Sequence, residues 1–286
     1  MRRLGVTGDD FGASADVNAA ILEAHRHGIL TAASLMVTGS AFEAAVDLAH
    51  RHPTLLIGLH LVLVDGRAAM PAAQIPNLVG PAGLFPRSPF RAGLRYFFSS
   101  ESRRELLLEI RKQLELFRQT GLPLSHVDGH HHLHMHPVVL DALAALAKEF
   151  QIRKIRIPSE ELTTAFALDG NNRLRNVLWS SVFAALRRRA VKRLEKAGIG
   201  FADRVYGLFA TGEIDEHYLL RLVPRMKGRS VELYAHPSLA RSPGGRRELD
   251  ALLSRRVRAA VSDNGFELEP PAGHPGVWRD SGGGLP

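Results

Sequence analysis

Residues 4–28 read LGVTGDDFGASADVNAAILEAHRHG. Leu4 to Thr7 is a short apolar run, and Gly8-Asp9-Asp10-Phe11-Gly12 stops it, the pattern of a buried strand whose carboxyl end opens into a polar loop. Asp16 is placed to cap the helix that follows, in which Val17, Ala20, Ile21 and Ala24 share one face and Gly28 supplies the stop. A buried strand joined directly to an amphipathic helix is the building unit of a parallel sheet covered by helices.

The unit recurs along the chain. Residues 33–37, 55–64, 126–128, 154–157, 204–209 and 230–235 read as further strands, and 42–50, 102–120, 137–150, 173–196, 217–226 and 246–261 as helices. Leu106, Ile110, Leu114 and Phe117 make the helix at 102–120 strongly amphipathic, with Gly121-Leu122-Pro123 ending it. The alternation lapses over residues 65–100, where Pro71, Pro76, Pro81, Pro86 and Pro89 predict a long loop excursion over the top of the fold. The expected architecture is α/β: one (β/α) barrel over residues 1–269, TIM-like and distorted, with about seven strands. A glycine- and proline-rich tail, 270–286, is expected to be flexible.

Composition narrows the functional classes. Hydrophobic residues make up 45% and charged residues 23% of the 286, enough for a sizeable core. The chain has no cysteine, so disulfides, thiolate ligands and a cysteine nucleophile are excluded, and any metal must sit on His, Asp or Glu. Asp9 and Asp10 interrupt the amino-terminal segment before an apolar core could form, and no stretch has the ~20 apolar residues of a membrane span. The cytoplasm is the expected location, with peripheral contact at the inner membrane face.

The formal net charge of +8 favours an anionic partner. Nucleic acid is not expected, because the basic residues lack aromatic interleaving, zinc-finger spacing and a recognition helix. The basic helix carrying Arg187, Arg188, Arg189, Lys192, Arg193 and Lys196 reads as a core face with a solvated face, or else as a surface for anionic lipid. Serine nucleophile elbows, phosphate loops and dinucleotide fingerprints are absent.

Four clusters of chemistry-bearing residues fall at predicted strand ends: Asp9-Asp10, His60, Asp128 with the run His130 to His136, and His236. Two histidines and one aspartate make a three-ligand metal site with open positions for water and substrate. Paired acids allow one carboxylate to ligate while the other takes a proton. Singly, each cluster has an ordinary reading, as a helix-start carboxylate or a satisfied core histidine. In the run His126-Val-Asp-Gly-His-His-His-Leu-His-Met-His136, period two would put His130, His132 and His134 on one side if the chain stays extended. Not all of them can bind one metal, so a ligand, one or two substrate-facing histidines and a structural member are expected.

Thr7-Gly-Asp-Asp-Phe-Gly12, Gly58-Leu-His-Leu61, His126 to Pro137 and Glu232-Leu-Tyr-Ala-His-Pro237 resemble the YdjC-like carbohydrate deacetylases, the chitooligosaccharide deacetylase group. Gly58 to Arg67 with Ile75-Pro-Asn-Leu-Val79 is most similar to the hopanoid biosynthesis-associated HpnK branch. The resemblance implies that Asp10, His60 and His130 hold a divalent metal, zinc first, with magnesium, nickel or cobalt as alternatives. It implies Asp9 as general base and His236 as general acid, and His132, His134 and Asp128 are expected to bind substrate. The implied reaction is metal-dependent deacetylation of an N-acetylated sugar, N-acetylglucosaminyl hopane in that branch. Phe85, Phe90, Tyr96, Phe97 and Phe98 are then expected to meet lipid. Soluble chito-oligosaccharides are the alternative substrate, and an inactive sugar- or lipid-binding barrel is the alternative of another class. The oligomeric state is left open.

Overall fold

A computed structural model describes residues 2–161, 163–164, 168, 173–240 and 243–269. Among them lie seven strands: β1 (Arg2–Phe11), β2 (Ala32–Leu35), β3 (Leu56–Leu61), β4 (Val127–Gly129), β5 (Arg204–Tyr206), β6 (Ser230–Ala235) and β7 (Phe266–Leu268). The helices are α1 (Ala15–His27), α2 (Phe42–Arg51), α3 (Pro89–Phe98), α4 (Ser100–Gln119), α5 (Pro137–Phe150), α6 (Arg173–Ala197), α7 (Glu216–Leu222), α8 (Pro243–Leu253) and α9 (Arg255–Asp263). The tail expected at 270–286 lies outside the described residues.

Every strand pair is parallel, in the order β4-β3-β2-β1-β6-β5, with β7 pairing the amino half of β1. Bridges from Val127 to Ile155 and from Lys154 to Gly200 carry the pairing past β4, curling the sheet into a distorted (β/α) barrel. Leu4, Val6, Leu35, Ile57, Leu59, Val127, Val231 and Leu233 are all buried, as a sheet covered on both faces requires.

Several expectations change. In the segment 154–157 only Lys154 and Ile155 pair, through isolated bridges, and no regular strand forms. The last predicted helix is two, because Ser254 ends α8 and its hydroxyl caps α9 by accepting from the amide of Val257. Ser14, not Asp16, caps α1. The excursion at 65–100 contains α3, opened by Ser88 as cap and Pro89 at its first turn, and anchored inward by Ala92 and Tyr96, whose hydroxyl donates to the carbonyl of Leu63 at 2.7 Å. Polar side chains of α4 hold the rest of the excursion: Glu109 accepts from the amides of Ala69 and Met70, and Glu105 from that of Asn77.

Candidate active site

The candidate residues gather at the carboxyl ends of the strands, where barrel folds collect their chemistry. β1 ends in a bulge: three steps from Gly8 to Phe11 pair with two from Ala33 to Leu35, and Asp10 takes a positive φ of 63°. The bulge lets two adjacent carboxylates serve different places. Asp9 turns into the interior, and Asp10 turns toward the cleft. Asn18 braces the loop by accepting from the amide of Gly12 at 2.7 Å.

His60 of β3 stands beside Asp128 of β4 in register, and its Nδ1 donates to Asp128 Oδ1 at 2.7 Å. That hydrogen bond turns the other ring nitrogen, Nε2, toward Asp10 Oδ1, 3.2 Å away. His130 places Nδ1 3.1 Å from the same oxygen. Asp10, His60 and His130 thus present three donor atoms within 4.8 Å of one another. His60 Nε2 is buried without a hydrogen-bond partner, a costly state that a cation between these atoms would relieve. Two imidazoles and one carboxylate suit a divalent transition metal, so the residues present fit one.

Electrostatics agree. Burial opposes charge on His60, but the negative charge of Asp128, the neighbouring Asp10 carboxylate and the hydrogen bond to Asp128 lift its pKa to about 10. Burial likewise opposes charge on Asp10, yet the hydrogen bond from His130 and the neighbouring His60 imidazole hold its carboxyl well below the usual range. Without a metal, a proton lies among these three side chains.

Behind the cleft sits Arg156, fully buried, a residue that the sequence reading passed over. Its Nη1 and Nη2 donate to the two oxygens of Asp9 at 2.6 and 2.8 Å, Nε donates to Glu232 at 2.8 Å, and Nη2 also lies 2.7 Å from Asp128. The guanidinium therefore bridges these three acids. A signal existed: an arginine between Ile155 and Ile157, both fully buried, within a predicted strand must meet buried counter-charge.

His236 follows β6 directly and places Nε2 3.9 Å from Asp9 Oδ2, while its backbone amide donates to Glu248. The run at 130–136 does not stay extended. It coils into a 3-10 turn with His131 and His132 at positive φ of 51° and 54°. Alternation is lost, and His132 and His134 part company. His132 lines the cleft with Nε2 2.8 Å from the hydroxyl of Tyr234. His134 is buried and donates from Nε2 to the carbonyl of Arg156 at 3.0 Å; burial depresses its pKa to about 4. Asp128 also lies behind the surface, accepting from His60 and, at 2.6 Å, from Ser34. Neither His134 nor Asp128 lines the cleft, and burial is what separates them from the substrate contact expected of them.

The cleft has a volume of about 1050 Å³. Asp9, Asp10, His60, His130 and His236 border it on the polar side, and Phe90, Leu94, Phe97 and Phe98 of α3 with Val182, Phe183 and Leu186 of α6 form apolar walls.

A family model described as YdjC-like protein matches residues 3–263. The chain belongs to the YdjC-like family. This YdjC-like chain is 43% identical over 157 residues to a carbohydrate deacetylase of Brevibacillus brevis, a match covering 54% of this chain and 59% of the relative. It is 29% identical over 287 residues to a chitooligosaccharide deacetylase of Klebsiella pneumoniae, covering 98% and 99% of the two. The match thus spans about three-fifths of the Brevibacillus relative and nearly all of the Klebsiella one. In fold, the chain is similar to the crystal structure of a candidate cellobiose-phosphate cleavage protein from Enterococcus faecalis, with a TM-score of 0.72, 23% identity and coverage of 94% and 97%. Among the described residues no helix is long and apolar enough to cross a membrane.

Proposed function

We propose that this chain is a metal-dependent hydrolase that removes the acetyl group from an N-acetylated amino sugar. The observation that carries this reading is the convergence of Asp10, His60 and His130 around a buried, unpartnered imidazole nitrogen, with a second carboxylate and a further histidine alongside. The names of the Brevibacillus and Klebsiella relatives support it.

Asp10, His60 and His130 would hold the cation, zinc first given two imidazole donors, with magnesium, nickel or cobalt as alternatives. When bound, a divalent metal supplies Lewis acidity for the acyl oxygen and lowers the pKa of water. Asp128 fixes the His60 ring so that Nε2 faces the site. Asp9, held by both arms of Arg156, keeps a lone pair for the proton of the attacking water. His236 delivers a proton to the departing amine, so amide and water become acetate and free amino sugar. His132, carried on the cleft wall, is the substrate-facing member of the histidine run.

The finer substrate assignment is N-acetylglucosaminyl hopane, supported by the apolar walls beside the polar residues: a polycyclic aglycone would lie against α3 and α6 while the acetamide meets Asp10 and its neighbours. A soluble chito-oligosaccharide is the second reading, favoured by the name of the Klebsiella relative. The test is acetate release from metal-loaded protein offered N-acetylglucosaminyl hopane and di-N-acetylchitobiose in parallel, with Asp9→Asn as control. Release from the glycolipid alone, abolished in the control, is the expected result. Release from the chitobiose alone would discard the hopanoid substrate, and release from neither would favour a binding barrel.

A further inference from the structure

We infer that α3 and its flanking arginines form a docking surface for an anionic lipid bilayer, so that the cleft opens at the membrane surface. The inference starts from where the exposed apolar side chains lie. Phe90 and Phe98 are 73% and 77% exposed, and Leu94, Phe97 and Val182 are exposed as well; all five line the mouth of one cleft. Scattered single exposures are ordinary, whereas five around one opening form a patch that water does not favour.

Helical geometry explains the patch. At 100° per residue, Phe90, Leu94, Phe97 and Phe98 form one ridge of α3, and Ala92 and Tyr96 on the other side are fully buried. Arg91 and Arg95 project between these two faces. Residues 84–104 carry five arginines, Arg87, Arg91, Arg95, Arg103 and Arg104, against a single acid, Glu101. Arg103 lies over the ring of Phe97, with 5.8 Å from guanidinium carbon to ring centre. An apolar ridge flanked by cations is the arrangement that settles into the boundary between headgroups and acyl chains.

Charge complementarity selects an anionic bilayer over a neutral apolar partner. Position also selects α3 over the basic helix α6, because Phe90, Leu94, Phe97 and Phe98 all lie on α3 and only Val182 lies on α6. Arg189 and Arg193 both bond to Asp141, and Arg187 donates to the carbonyls of Ile157 and Asp203. On the α3 side Arg95 donates to the carbonyl of Asn77 and Arg103 to that of Phe97, and Arg87, Arg91 and Arg104 are exposed. Two of the aromatic residues first expected to meet lipid are likewise excluded, because Phe85 and Tyr96 are buried.

The surface needs no turnover to be tested, so its failure and the failure of the deacetylase reading are separable. Full-length protein is sedimented with vesicles of phosphatidylcholine alone and with vesicles containing phosphatidylglycerol, and acetate release from N-acetylglucosaminyl hopane and from di-N-acetylchitobiose is assayed alongside. Binding to the anionic vesicles is expected, weakened by salt. Phe90→Ser with Phe98→Ser should weaken it more than about tenfold, from the loss of buried apolar area. Arg87→Ala, Arg91→Ala and Arg104→Ala should each weaken it about fivefold. Each variant should retain the parent melting temperature, since the changed side chains are exposed. Failure of the anionic vesicles to sediment the protein, or equal binding by parent and both variant sets, would overturn the inference. Light scattering that shows a dimer, dissociated by Phe98→Ser, would overturn it in favour of a second copy of the chain. Turnover without vesicle binding would discard the docking surface alone, and vesicle binding without turnover would discard the deacetylase reading alone.

Discussion

Asp128 and Arg156 show how much of this site is controlled by residues behind it. Asp128 accepts from His60 Nδ1 and from Ser34, leaving the outer nitrogen of His60 to face Asp10. Loss of such a partner from a ligating histidine lowers metal affinity about 10- to 100-fold. Asp128→Asn should therefore weaken metal binding by that factor, measured by competition with a chromophoric chelator; unchanged affinity would mean that His60 needs no orienting partner. Arg156 pairs with three buried carboxylates at once, Asp9, Asp128 and Glu232. Removing one partner of a buried ionic cluster costs about 3–5 kcal/mol, and Arg156→Met should destabilise the fold by about that much in urea unfolding. A loss within 1 kcal/mol would show that the acids protonate at little cost.

At the scale of elements, the segments around the cleft depend on polar anchors that hydrophobic patterning does not reveal. Glu160 accepts the amides of Gly207, Leu208 and Phe209 through one oxygen and the hydroxyl of Tyr218 through the other, holding the segment whose Leu208 and Phe209 line the cleft. Burial raises its pKa from 4.5 to about 7 despite those donors. The folded state thus holds a proton that the unfolded chain has released, so this group's contribution is complete below pH 4.5 and is lost as pH rises through 7. Over that window the loss is about 3 kcal/mol. Glu160→Gln keeps one acceptor for the amides and does not titrate. The stability of the variant relative to the parent should therefore rise between pH 5 and pH 8 in urea midpoints, and a constant difference would refute the shift.

Gly58 shows the same dependence on neighbours within the sheet. A Cβ at Gly58 would stand 2.4 Å from the His126 ring, so the glycine makes room for the imidazole that immediately precedes β4. β3 runs through Gly58 unbroken. The α3 helix was hidden for a related reason. Five prolines across the excursion suggest a loop, yet Pro89 stands at a helix start, where proline is well suited, and Ala92 and Tyr96 find their burial only against distant residues.

For the whole molecule, a metal held at the proposed site would be linked to stability. A ligand that binds only the folded state at 100 times its dissociation constant adds about 2.7 kcal/mol. Zinc should accordingly raise the melting temperature of chelator-treated protein, and Asp10→Asn should abolish the increase. His60, with its pKa near 10 in the metal-free protein, must give up its proton on ligation, so the increase should shrink as pH falls. A metal effect equal at pH 6 and pH 8 would contradict proton displacement.

The sequence by itself determined the α/β class, most of the helices and strands, and the strand-end placement of Asp9, Asp10, His60, His130 and His236. It could do so because period-two and period-3.6 burial are written locally, and in a parallel barrel the ends of the strands converge. Only the tertiary structure decided which acids and histidines face one another. Burial placed Asp128 and His134 behind the cleft, Arg156 gathered carboxylates from three separate segments, and a coil with two left-handed residues broke the alternation of the histidine run. Each of those outcomes depends on partners tens of residues away, where the energy of a buried charge is set by what surrounds it and not by its neighbours in the chain.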